Sequence, residues 1–190
     1  MSTLKLILSR GDPLQTDFLS TDNRVMYTSE TITYARPLHG SRATTTVTRR
    51  DPVGGLLQVG LVEWPANPDD RPQVVVGTRS VEMTKTGLYT SPEKFQAQDG
   101  RTYEWQISNY RAQLVPLHAG HNAAYIATFL QSSQSIFKPW NRKSSASLFV
   151  PPEGTHILDD IIVTFIYFES QWRDRERFRA RTWDLPVAAT

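Results

Sequence analysis

The sequence predicts a mainly β protein: a β-barrel of about twelve mostly antiparallel strands with a C-terminal hydrophobic helix inside it. Three observations carry that expectation. Short β-prone runs recur between turn residues at intervals of roughly 8–12 residues, the spacing of barrels and sandwiches. In "FQAQDGRTYEW" (95–105), Asp99-Gly100 separates two β-prone arms, which is the signature of a type I′ hairpin, whose turn residues both need positive φ. Finally, "ILDDIIVTFIYFESQWRDRERFRA" (157–180) is apolar through its centre and then turns into alternating charge.

Taken in order, "LKLILS" (4–9) stops at Gly11-Asp12-Pro13. "DFLS" (17–20) and "RVMYTSET" (24–31) flank the turn-forming trio Thr21-Asp22-Asn23,. "ATTTVTR" (43–49) is β-branched at five of its seven positions, and such residues fit a pleated surface. "GLLQVGLVEW" (55–64) runs into the Pro-rich loop "PANPDDRP", followed by "QVVVG" (73–77) and "SVEMTK" (80–85). After the 95–105 hairpin, "AQLVPL" (112–117), "AAYIATFL" (123–130) and "ASLFV" (146–150) complete the set. All of this reads as one domain over residues 1–190: strands from 4 to 150, a helix over about 156–180, and a tail from 181,.

The 157–180 stretch decides the fold. Ile161, Ile162, Val163, Thr164 and Ile166 are β-branched and on propensity favour a strand,. Against that, no period-2 alternation exists. Ile157, Ile161, Phe165, Phe168 and Trp172 recur at spacings of 4, 4, 3 and 4, which stacks them on one helical face. Glu153, Asp159 and Asp160 precede the body while Arg173, Arg175, Arg177 and Arg179 follow it, the arrangement a helix dipole favours. Val163 and Tyr167 fall on the opposite face, so the body is apolar all round and needs burial on every side. The inside of a barrel offers that.

Bulk properties narrow the function classes. The chain holds no cysteine, which removes disulfides, thiolate metal sites and a Cys nucleophile. A formal net charge of +2 with interspersed signs does not point to nucleic acid. "MSTLKLILSR" lacks a long apolar core and a small-residue cleavage site,, and no run of 18 apolar residues occurs, so the expected location is the cytoplasm with no transmembrane segment.

Four motifs together, "RVMY" (24–27), "GLVEW" (60–64), "FQAQDGRTYEW" (95–105) and "ILDDIIVTFIYFE" (157–169), resemble a domain family of unknown function common in mushroom-forming fungi. The resemblance covers nearly the whole chain in order, and the departure from it is a tail that is longer and richer in Arg. More distantly, many strands followed by an apolar C-terminal helix is similar to the tubby C-terminal, LURP-one-related and phospholipid scramblase barrels. That likeness implies a fold of about twelve strands around a central helix; it implies no activity.

No catalytic constellation is legible. His118 and His121 in "HAGH" are a loop pair without a third ligand, so no metal or cofactor is expected. Glu63 and Glu104, each beside a Trp, raise a glycoside hydrolase as the remotest reading, against their being the solvent face of strands. The leading reading is a non-catalytic binder of an apolar lipid or aromatic pigment, held at the barrel mouth or the helix–barrel seam. Its expected ligand-binding residues are Trp140, in the polar, Pro-broken "FKPWNRKSS", with Phe165, Tyr167, Trp172 and Trp105. The second reading is a protein–protein or membrane-surface module using the Arg-rich tail, whose bland alternative is a solvated helix end with Glu169–Arg173 and Glu176–Arg179 pairs. An apolar small molecule and a second copy of the chain are the partners these readings leave open.

Overall fold

Side chains alternate between the core and the outside along the first strands, as the pleat requires: Leu6 and Leu8, then Thr16 and Phe18, then Tyr27 and Ser29 point inward. In a computed structural model of the chain, residues 2–36, 40–51, 54–67, 69–87, 92–117, 124–131 and 145–183 are described. Thirteen strands precede the helix: β1 Leu4–Leu8, β2 Thr16–Leu19, β3 Val25–Arg36, β4 Gly40–Arg50, β5 Leu56–Trp64, β6 Gln73–Val76, β7 Arg79–Val81, β8 Thr84–Lys85, β9 Glu93–Gln96, β10 Thr102–Ser108, β11 Arg111–Pro116, β12 Ala127–Leu130 and β13 Ser147–Val150. A 3-10 turn, Pro152–Ile157, leads into α1, Leu158–Trp183.

All strands form one antiparallel sheet in the order β7-β6-β5-β4-β3-β2-β1-β13-β12-β11-β10-β9-β8. The chain is therefore a meander whose two ends meet where β1 pairs with β13, from Leu4↔Val150 to Ile7↔Ser147. The edges β7 and β8 are separated only by Glu82 and Met83. They act as two halves of one strand position: β7 pairs with β6 through Val74↔Val81, and β8 pairs with β9 through Lys85↔Glu93. This gives twelve positions around the circuit, in line with the expected count of about twelve. No ladder joins the edges among the described residues; the chain itself crosses the seam. Arg79 braces it, donating from Nη1 to Gln96 O on β9 at 2.6 Å and pairing through Nη2 with Asp160 of the helix.

Residues 157–180 are helical, and the predicted stripe of Ile157, Ile161, Phe165 and Phe168 is buried with Trp172 half-buried. Every residue from 160 to 170 is buried, because strands surround the helix. Phe18 of β2, Trp105 of β10 and Phe129 of β12 place their rings 6.3, 5.9 and 4.7 Å from Phe165. Trp105 also stacks on Phe168 at 5.8 Å. Its indole N–H donates to Thr164 Oγ1 at 2.9 Å, and that hydroxyl donates to Asp160 O at 2.6 Å, so the one polar side chain within the apolar body is satisfied. β-branching costs helix propensity by a few tenths of a kcal/mol per residue, whereas burial stabilises by about 1.5–3 kcal/mol per large side chain. Burial wins.

The hairpin signal was right in place and wrong in type. Gly100 alone has positive φ, +78°, and its N–H donates to Ala97 O at 3.0 Å. A turn closed by a left-handed glycine has formed, so the Asp99 backbone needs no unusual conformation. The positive-φ pair is Asn109 (49°) and Tyr110 (59°), joining β10 to β11 at Ser108↔Arg111; Asn-Tyr lacks the glycine that marks such turns in a sequence.

Asp99 instead ties the hairpin to the helix entry. Its carboxylate accepts from Tyr103 OH at 2.7 Å and Arg101 N–H at 3.0 Å, with His156 Nε2 at 3.0 Å. Burial works to raise its pKa, but the bonds from His156, Tyr103 and Arg101 prevail and hold it below the ordinary 3.8. Burial and Asp99 push the Tyr103 hydroxyl up to about 12. A depressed carboxylate contributes stability above its unfolded pKa and loses it as pH falls through the folded one. Thermal melts between about pH 2 and 7 are thus expected to show a shallower acid-side decline for Asp99→Asn than for wild type.

Candidate functional site

The helix enters the barrel at Leu158 and leaves it beyond Ser170. At the entry, Asp159 accepts from Tyr27 OH at 2.7 Å and pairs with Arg49 at 2.8 Å. Burial pushes the Asp160 carboxyl up, against the pull of Arg79. At the exit, two buried acids receive arginines that fold back along the helix. Arg173 pairs with Glu169 at 2.8 Å and Arg175 with Glu93 at 2.7 Å. Burial raises the Glu169 carboxyl while Arg173 and Gln131 pull it down, and its Oε2 has no hydrogen-bond partner among the described residues.

Trp64, the last residue of β5, is placed by the pleat on the inward face, in register with Ala43. Its ring is fixed twice. The indole N–H donates to Thr45 Oγ1 at 2.8 Å, and its face lies parallel to Tyr167 at 6.2 Å with 9° between planes. Pro65 follows Trp64 directly and lies outside the strand,. Two clefts result, of about 520 and 500 Å³, sharing Trp64, Pro65, Asp70 and Arg71. The first follows the helix–barrel seam past Tyr167, Gln171, Lys85 and Glu93. The second opens on the outside between Tyr34, Arg42, Glu63 and Gln73. Burial, helped by the facing Glu93, pushes the Tyr167 hydroxyl well above the usual phenol range, so it stays protonated as a donor. An aromatic platform rimmed by charges of both signs can orient a flat polar-edged molecule.

The expected binding residues do not converge. Tyr167 lines the seam cleft. Trp172 lines a separate cleft of about 390 Å³ with Gly11, Gln131, Ala146 and Arg173; the two clefts flank the emerging helix. Trp105 and Phe165 are fully buried in the ring cluster, where they pack rather than face a cleft. Trp140, like His118 and His121, lies outside the described residues. Glu63 and Glu104 point outward, in alternation with buried Val62 and Tyr103, and four strands separate β5 from β10 across the seam. On a convex surface such carboxylates diverge. No cluster of three acidic or imidazole side chains suited to a metal ion exists among the described residues.

The arginine-rich end is largely committed within the chain: besides the two buried pairs, Arg177 meets Asp174 at 3.4 Å and Arg179 meets Glu176 at 2.9 Å. The Glu169–Arg173 and Glu176–Arg179 pairs read from spacing are both present, although the first is buried rather than solvated. No described helix is long and apolar enough to cross a membrane.

Reasoning from sequence passed over Trp64, Arg71 and Glu93. The available signal was a tryptophan ending a strand directly before a Pro-broken, charged loop. Glu93 gave none, since its burial depends on Arg175, 82 residues later. No curated protein and no solved structure shows significant similarity to the chain. One family model matches residues 11–174, which takes in β2 to β13 and the whole enclosed part of the helix. The chain is a member of the family of unknown function DUF6593.

Proposed function

We propose that the protein is a non-catalytic binder of a small aromatic molecule, taken against Trp64 at the end of the barrel where the helix emerges. The observation that carries this reading is the indole of Trp64, half-buried, held by Thr45 and Tyr167, and common to both large clefts. An aromatic ring already fixed before binding loses little entropy when a ligand stacks on it, and each cleft falls within the usual size of ligand sites. Of the two ligand types expected from sequence, the flat pigment-like one suits the site better than a lipid chain. The helix fills the barrel from 160 to 170, so an acyl tail has no interior to enter. Arg71 and Lys85 beside Asp69 and Asp70 favour a ring with polar edges that both donate and accept.

The test is a titration with anilinonaphthalene sulfonate, a flat anionic aromatic probe, read by its fluorescence. Trp64→Ala is expected to weaken binding at least about tenfold, the scale of losing one stacked ring, while Trp64→Phe retains most of it. Because Trp64→Ala also leaves Thr45 without its donor, both variants are compared with wild type in thermal melts. Equal affinity for wild type and a folded Trp64→Ala removes the site. Protein from its natural source that carries no extra mass or colour counts against a pigment.

A further inference from the structure

Strand β3 outruns its neighbour β2. β2 accompanies β3 only as far as Thr16↔Ser29, whereas β4 stays paired with β3 up to Arg36↔Gly40. Residues 30–36 therefore form the outer rail of the sheet here, backed by β4 throughout and by β5 as far as Ala43↔Trp64, with no ladder partner on the other side among the described residues. That free edge is roughly 20 Å long at 3.3 Å per residue. Its base is anchored from the inner face, Thr31 Oγ1 donating to Leu14 O at 2.7 Å. Ile32 and Tyr34 stand on the outer face, 50% and 54% exposed, and Glu30 and Thr33 are exposed too.

Natural sheets protect such edges with prolines, lysines, bulges or brevity. The other two edges follow that rule, being three and two residues long and braced by Arg79. The segment "TITYA" (31–35) does not: it has no charge, proline or glycine, and the register shift in β2–β3 lies lower, at Phe18/Leu19. The sequence "ETITYAR" (30–36) is also complementary to itself when reversed. Antiparallel pairing centred on Thr33 sets Ile32 opposite Tyr34 twice, a favourable β-branched–aromatic pair. It also brings position 30, a glutamate, opposite position 36, an arginine, at both ends. Paired positions share parity, so the edge-facing backbone groups of both strands coincide.

We propose that residues 30–36 of β3 are a homodimerisation edge, pairing antiparallel with the same residues of a second copy about a two-fold axis through Thr33. The contact is isologous and closes after two copies, which is why an unprotected edge does not lead to fibres.

Sedimentation velocity of the full chain from about 1 to 500 micromolar covers the range expected of a small interface. Wild type is expected to dimerise. Glu30→Arg and Arg36→Glu each place like charges opposite one another twice, and each is expected to weaken the dimer about tenfold. The double swap Glu30→Arg/Arg36→Glu restores the pairing and returns the dimer to near wild-type affinity. Ile32→Lys/Tyr34→Lys leaves the melt of the monomer within a few degrees of wild type, because both side chains are exposed, and removes the dimer. A wild type that stays monomeric overturns the proposal, and so does a dimer indifferent to Ile32→Lys/Tyr34→Lys. Single swaps that weaken association without rescue by the double swap overturn the register.

Discussion

Ile166→Asp, and separately Ile162→Asp, is expected to yield no soluble folded protein. Both side chains are fully buried, one helical turn apart on a helix that strands surround. An ionised aspartate there has no partner and no water, at a cost of several kcal/mol, against a total stability of about 5–15 kcal/mol for a domain. Protonation would remove the charge but still leave a buried polar group among isoleucine, valine and phenylalanine. Ile166→Val is the control: it deletes one methylene, costs about 1 kcal/mol, and should express normally. Soluble yield and the cooperativity of a circular-dichroism melt read the result. A soluble Ile166→Asp with a cooperative melt would mean that the helix is not enclosed.

Gly60→Ala is expected to destabilise by about 3 kcal/mol, at the upper end for overpacking. A Cβ at Gly60 would lie 2.6 Å from Val163 Cγ2 on the helix and 2.6 Å from Val75 O on the neighbouring strand. The first contact can be relieved by shortening the helix side chain; the second cannot, because it is backbone. Val163→Ala is accordingly expected to recover only part of the loss in the double variant. At about 2–4 °C per kcal/mol for a chain of this size, the single variant melts roughly 10 °C lower. An unchanged midpoint would show that β5 does not lie against the helix.

The architecture was legible because its main signals are local. Strand positions follow from short β-prone runs between turns, and Phe165 and Phe168 followed from helical spacing although Ile161 to Ile166 spoke for a strand. Only the period distinguished the two, since propensity is decided by surroundings that the chain creates later. The lengths of β3 and β4 were underestimated: the runs read as strands, 24–31 and 43–49, stop short, yet Tyr34↔Arg42 is still a strand pair. Type I′ geometry was assigned to the Asp-Gly that does not adopt it and missed at Asn109-Tyr110. The site was less legible, because it depends on which strand end meets which part of the helix. Trp64 and Tyr167 are 103 positions apart in the sequence and meet only through the closed circuit. Trp105, expected as a ligand contact, packs in the core against Phe165 and Phe168.

The order of the chain has a consequence for how the molecule is made. Every described strand precedes the helix, so synthesis delivers the wall before its filling. Until the residues from Leu158 onward have emerged, at a typical rate of several residues per second, the concave surface carrying Leu6, Phe18, Tyr27, Val62, Trp105 and Phe129 has nothing to close upon. β1 likewise waits for β13, some 140 residues downstream. A nascent chain of this protein therefore passes through a long interval as an open, sticky meander. A ribosome stalled before Leu158 would hold a species with most of its hydrogen bonds within reach and almost none of its core.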